Sequence, residues 1–222
     1  MSTEKEIDKI INDIKRLRNG ELVSFLSQSG IFYKIAYGVT IPELKEIAQS
    51  HYGNHPLAMQ LFEQEIRECK ILASMIDDPS MVTGEQIDTW AQSFTNHEIV
   101  EQVCSNLFWK SEYALSRSME WCLSGDELLQ KGGLIIAARA ASNQGISDSI
   151  FEPYIEIIEN FDDTQISQNK STTAFTLRQI ASRSNNLNTM VLNAAKQMSE
   201  SVNEHRAWVG NQLIFELDDM EG

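Results

Sequence analysis

A chain of 222 residues, 42% of them hydrophobic, is long enough for one domain or a short repeat array with its own core. Its 32 acidic against 18 basic residues leave a formal net charge of -14, which repels nucleic acid and anionic membranes at long range unless the basic residues gather on one face. Cys69, Cys104 and Cys122 are an odd number without Cys-x-x-Cys spacing, which excludes a disulfide framework and suggests no zinc site; buried thiols in a reducing cytoplasm are the expectation.

The N-terminal stretch MSTEKEIDKIINDIKRLRNG is charged throughout, and no apolar run approaches the ~20 residues of a membrane span, so an intracellular, cytoplasmic protein without membrane contact is expected. Thr3 with Glu6 gives the first capping signature, a hydroxyl residue three positions before Glu or Gln, and Asn19-Gly20 the first break. Thr40 with Glu43 opens another helix, with Pro42 in its first turn, where the missing N–H costs least; Pro56 sits in a similar place. A helix ending at Asp77 or Asp78 precedes Pro79, and Thr83 with Gln86 begins the next, on which Ile87 and Phe94 place Trp90 on a buried stripe.

His97-Glu98-Ile99-Val100-Glu101 follows, with His97 and Glu101 one helical turn apart and within i,i+4 reach. Two readings stand: a hydrogen-bonded pair, or two polar residues on a solvated helix face. The segment also resembles half of a zinc-protease signature, but His51, His55 and His205 show no ligand spacing, so no metal is expected.

Ser124 with Glu127 signals a further helix, inside which Gly132-Gly133 reads as a close helix contact. Pro153 marks a first turn, and Gly145 to Asp148 and Ser184 to Asn186 are breaks. Leu187, Met190, Val191, Ala194, Ala195 and Met198 then form one amphipathic stripe. Trp109, Trp121 and Trp208, like Trp90, have a core reading first. No period-2 segment, Gly-x-Ser-x-Gly elbow or phosphate-binding glycine loop occurs, and no cofactor is implied.

About 12 helices follow from these signals. Paired antiparallel, they make about six units of ~40 residues, the period of HEAT-type repeats. The expected fold is an all-α solenoid of such pairs, whose inner helices line a concave groove, with a compact irregular bundle as the alternative. One domain over 1–222 is expected.

After about residue 35 the chain resembles the DNA alkylation-repair glycosylases built from HEAT-like repeats, in their cytosolic bacterial branch; residues 1–35 are less family-like. The resemblance is carried by YGVTIPELKEIA from Tyr37, ILASMIDDPSMVT from Ile71, IDTW from Ile87, EQVCSNLF from Glu101, LIIAARAA from Leu134 and LRQIASRSNNLN from Leu177, in that order. It implies a right-handed solenoid with duplex DNA along a concave basic face. The implied activity is excision of N3- or N7-alkylpurines, whose positive charge already weakens the glycosidic bond. A carboxylate near the sugar stabilises the developing cation, aromatic rings contact the lesion, and a guanidinium holds the flanking phosphate.

The family places these groups in a Trp-Asp-x-x-Asp segment, a Lys-Arg-Ala-Gly segment and the Trp of Trp-Ala-Leu-Arg. The resemblance puts His97 at the first tryptophan, Glu101 at the catalytic aspartate, Lys131 at the arginine within Gln130-Lys131-Gly132-Gly133, and Phe175 at the last tryptophan within Phe175-Thr176-Leu177-Arg178. All four positions differ, though carboxylate, cation and ring are kept in kind at three. Glu101 adds a methylene, and a displacement of ~1 Å can cost ~100-fold in rate. Lys131 keeps the charge of arginine without its planar fork. Where a Val-Lys-Lys-Ala run is expected, Asn169-Lys170-Ser171-Thr172 keeps one lysine. Lys131, Lys170, Arg178 and Arg183, with Arg139 and Arg206, are the cations available to phosphates. Three functions stand open: an alkylpurine glycosylase with His97, Glu101 and Phe175 at the lesion, a DNA or damage binder that does not excise, and a catalytically silent scaffold for a protein partner.

Overall fold

Side-chain caps start most helices of the computed structural model, which describes residues 3–218. Thr40 and Glu43 form the expected capping box, with Thr40 Oγ1 accepting from Glu43 N and Glu43 Oε2 accepting from Thr40 N. The Thr83 signature is half realised: Thr83 accepts from Gln86 N, but Gln86 Nε2 donates to Asp77 Oδ2 at 2.6 Å instead of turning back to the cap. At Ser124 the cap falls two residues later, on Asp126, which accepts from the N–H groups of Leu128 and Leu129. A box at Asp162 and Gln165 is a further start, hidden from a search for hydroxyl caps alone.

The chain divides into two compact units, Met1–Tyr113 and Ala114–Gly222. The first holds α1 (Thr3–Arg16), α2 (Gly20–Gln28), α3 (Ile41–Ala48), α4 (His55–Phe62), α5 (Arg67–Ile76), α6 (Gly84–Ala91) and α7 (His97–Asn106). The second holds α8 (Ala114–Cys122), α9 (Glu127–Ala140), α10 (Glu152–Glu159), α11 (Asp163–Ala181), α12 (Asn185–Ser199) and α13 (Glu204–Asp218). Short 3-10 turns lie at Pro79–Met81, Phe108–Lys110 and Asp148–Ile150. Among the described residues the one extended pairing is an isolated bridge between Ile35 and Ile66. None of these helices is long and apolar enough to cross a membrane.

Packing displays a repeat that the sequence conceals. In the first unit α3 packs on α5 and α5 on α7; in the second α9 packs on α11 and α11 on α13, while α8, α10 and α12 form the accompanying row. Sequence neighbours also meet, α4 with α5 in the first unit and α8 with α9, α11 with α12 and α12 with α13 in the second, the packing of stacked helix pairs. The core of the second unit runs from Cys122 and Leu134 through Tyr154 and Leu177 to Val209 and Leu217, and takes in the Leu187 to Met198 stripe. In the first unit the Trp90 ring stacks on Phe62 at 3.7 Å between centroids. All three thiols are buried and free, and burial pushes those of Cys69 and Cys122 up to about 12.

Gly133 is a close helix contact, as expected. Ser118 Oγ donates to its carbonyl at 2.6 Å, and a Cβ at Gly133 would stand 2.6 Å from Ser118 O and 2.9 Å from Cys122 Sγ. Gly133→Ala is therefore expected to lose about 1–3 kcal/mol of stability by overpacking, against a helix-propensity gain of about 1 kcal/mol. Gly125→Ala, with open space around the added methyl, should stay within about 0.5 kcal/mol of the parent in urea unfolding. Equal midpoints for the two variants would refute the close-contact account.

Candidate nucleic-acid interface

Helix α7 turns His97 and Glu101 outward because its other face is apolar. Ile99, Val100, Val103 and Cys104 are buried, whereas His97 and Glu101 are exposed, one turn apart. The start of the helix is fixed unusually firmly. Asn96 Oδ1 accepts from Ile99 N at 3.1 Å, and Asn96 Nδ2 donates to Phe32 O at 3.2 Å. Glu98 accepts from Arg67 Nε at 2.8 Å, Arg67 Nη2 at 2.5 Å and Tyr33 Oη at 2.9 Å. The Glu98 carboxylate is thereby committed to the protein, and the half zinc-protease pattern has lost its acid.

Arg67 is the largest fully buried side chain, and Nη1 donates to Val39 O and Glu68 Oε1. Glu68 in turn accepts from the backbone N–H groups of Tyr37, Gly38 and Val39. Burial works against the charge of Arg67, but its hydrogen bonds and the charges of Glu98 and Glu68 outweigh it and hold the guanidinium protonated. Burial, reinforced by the Glu98 charge, pushes the Tyr33 phenol well above its ordinary range, so it stays a donor. This cluster was not foreseen from the sequence. Arg67-Glu68 at a helix start is the only local signal; Tyr33 and Glu98 lie 34 and 31 residues away.

In the second unit the sequence-predicted residues separate by role. Lys131 lies half-buried on α9, beside Gln130, which accepts from Asn169 Nδ2 at 3.1 Å. Asn169 breaks α11 with non-helical angles (φ -119°, ψ 18°), and its neighbour Lys170 carries Nζ 5.2 Å from the centre of the Trp208 ring. One and a half turns on, Phe175 faces the Arg178 guanidinium at 5.6 Å, and Arg178 Nε lies 3.5 Å from Glu216 Oε2. Trp208 departs from the core expectation: it is 39% exposed, because α13 buries Val209, Gly210, Leu213 and Leu217 on its other side.

Arg183 is used internally. Its guanidinium donates to the carbonyls of Ala141, Asn143 and Ile146 and to Asp148 Oδ1, and the side chain is only 2% exposed. Arg206 likewise donates to the carbonyls of Glu159 and Phe161. On the packed pair α9 and α11, Arg139 is exposed and Lys131, Lys170 and Arg178 are partly exposed.

Rows of short helices packed in alternating layers, with polar and aromatic residues displayed on α7 and on α9, α11 and α13, define a HEAT-like repeat protein. The sequence profile of the DNA alkylation repair enzymes matches residues 25–204, and the chain belongs to that family. Among solved structures it is similar to a member of "a new family of proteins related to the HEAT-like repeat DNA glycosylases with affinity for branched DNA structures". That likeness has a TM-score of 0.81 at 18% identity and covers 96% of this chain and 94% of the other, so it shows a shared fold. Comparison with curated proteins gives no match.

Removing one partner of a buried ion cluster strands the rest. Arg67→Met should lose about 3–5 kcal/mol, and adding Glu98→Gln should recover part of that loss in urea unfolding; additive losses would show that the two side chains act separately. The Asp148 carboxyl is held below its usual range by hydrogen bonds from Ser184 and Arg183 and by the Arg183 charge. A depressed folded-state pKa gives stability that is present above the unfolded value of about 3.9 and disappears as pH falls through the folded value. Asp148→Asn is expected to flatten the fall of Tm below about pH 4; an unchanged acid limb would contradict this role.

Proposed function

We propose that this protein binds DNA and recognises DNA structure without excising bases. The reading is carried by the residues that the resemblance puts at the four excision positions, His97, Glu101, Lys131 and Phe175, each of a different type from the family's, in a chain that belongs to the family. A base binder that no longer hydrolyses needs its cations and rings but not an exactly placed carboxylate. Lys131, Lys170 and Arg178 supply the cations, and their gathering on two packed helices offsets locally the negative total. The affinity of the structurally similar protein for branched DNA supports the same ligand class. Three buried free thiols suit the reducing cytoplasm.

A second reading keeps the enzyme. Glu101 is an exposed carboxylate one turn from His97, and an alkylated purine leaves with little assistance, so a slow alkylpurine glycosylase would use Glu101 to stabilise the sugar cation.

Two measurements on the full chain separate the readings. Binding to a fluorescent DNA junction should weaken about 40-fold between 50 and 200 mM salt, as about three phosphate contacts require. Release of 7-methylguanine from alkylated duplex should stay at the uncatalysed rate, with parent and Glu101→Gln alike. Release that Glu101→Gln abolishes would install the glycosylase instead. Absence of DNA binding at low salt would overturn both and leave the protein-partner scaffold.

A further inference from the structure

Helix α13 presents an aromatic stripe to solvent that its packing does not require. Glu204, Trp208, Asn211 and Phe215 are exposed at i, i+4, i+7 and i+11, with Trp208 at 39% and Phe215 at 67%. The reverse face is sealed against α12, where a Cβ on Gly210 would stand 2.4 Å from Ser199 N. The exposed rings are therefore not a frayed end: the helix is held closely, and two large apolar side chains still face water.

Lys170 supplies the second observation. Its ammonium sits 5.2 Å from the centre of the Trp208 ring, delivered by the break in α11 at Asn169, whose buried Nδ2 is anchored on Gln130 and on Glu127 O. Arg178 and Phe175 continue the same helix two turns further on, with Arg178 against Glu216 of α13. A ring face held by a flexible ammonium is a face that another flat π system can take, and the displaced ammonium then has a phosphate within reach. Aromatic platforms beside a cation are how proteins hold unpaired nucleotides without reading sequence.

We propose that Trp208, flanked by Lys170, is a stacking platform for an unpaired nucleotide at the branch of a DNA junction. The inference rests on the DNA-binding reading and names the element that distinguishes branched from linear DNA, because a continuous duplex offers no unpaired base to the ring. Phe215 lies two turns along α13, about 10 Å away, and takes a second base of the same strand. Glu204, exposed one turn before Trp208, keeps duplex phosphates at a distance, which adds to the preference for bases over backbone.

The test uses the full chain and two fluorescein-labelled probes: a three-way junction with two unpaired thymidines at its branch, and a linear duplex of matched length. Trp208→Ala should weaken junction binding about ten-fold and duplex binding less than about two-fold, with Trp208→Phe retaining most of the junction affinity. Lys170→Gln should lower the salt slope by about one. Unchanged junction affinity in Trp208→Ala, with the parent binding the junction, would overturn this inference and leave the DNA-binding reading intact. A parent that binds neither probe would refute the reading itself. A concentration-dependent dimer that Trp208→Ala abolishes would assign the stripe to a second copy and overturn the platform. With the ring only 39% exposed, Trp208→Ala should lower the Tm yet remain folded at the binding temperature, and Trp208→Phe controls for the lost packing.

Discussion

Short helices stacked in rows leave many carbonyl groups in the turns between them, and in this protein buried and half-buried arginines satisfy several of them. Arg67 joins Val39 O to Glu68 and Glu98; Arg183 gathers the carbonyls of Ala141, Asn143 and Ile146; Arg206 takes those of Glu159 and Phe161. A planar fork with five donors can bind several acceptors at once, which a lysine cannot do. Without such clamps, the turns between helices would bury unsatisfied backbone at about 1–3 kcal/mol for each group. Each clamp also fixes where the next helix begins, and so where its outward residues stand.

The same device limits what is left for a ligand. With 18 basic residues against 32 acidic, arginines held internally are a substantial loss from the supply available to phosphates. Two partly exposed cations of α11 stand beside rings that are exposed or half-exposed: Lys170 with Trp208, and Arg178 with Phe175. In the proposed DNA-binding role, an acidic protein with few phosphate contacts and a stacking ring would discriminate by base accessibility more than by charge. That is a different balance from a duplex-tracking groove, where affinity scales with the number of neutralised phosphates.

Much of the fold was legible in the chain. Capping residues and prolines marked the helix starts at Thr40, Pro56, Thr83 and Pro153, since these depend on interactions within a few residues. Gly133 announced a close contact because mid-helix glycine is costly without one. The Arg67 cluster, the destination of Arg183 and the exposure of Trp208 were not legible. Each depends on partners that lie far away in sequence or, for Trp208, on which stripe of α13 meets α12; an aromatic residue in an amphipathic pattern does not by itself say which stripe that is.

The amino-acid sequence by itself therefore determined the class of fold and the family, because helix signals are local and a resemblance in residue identity needs no coordinates. Only the tertiary structure decided which polar groups are committed. It placed Glu98 and Arg183 inside the protein, and it left Trp208 under a lysine at the surface. The reason is physical: burial and hydrogen bonding are properties of the packed helices, and charge or aromaticity becomes available to a ligand only where packing has not already used it.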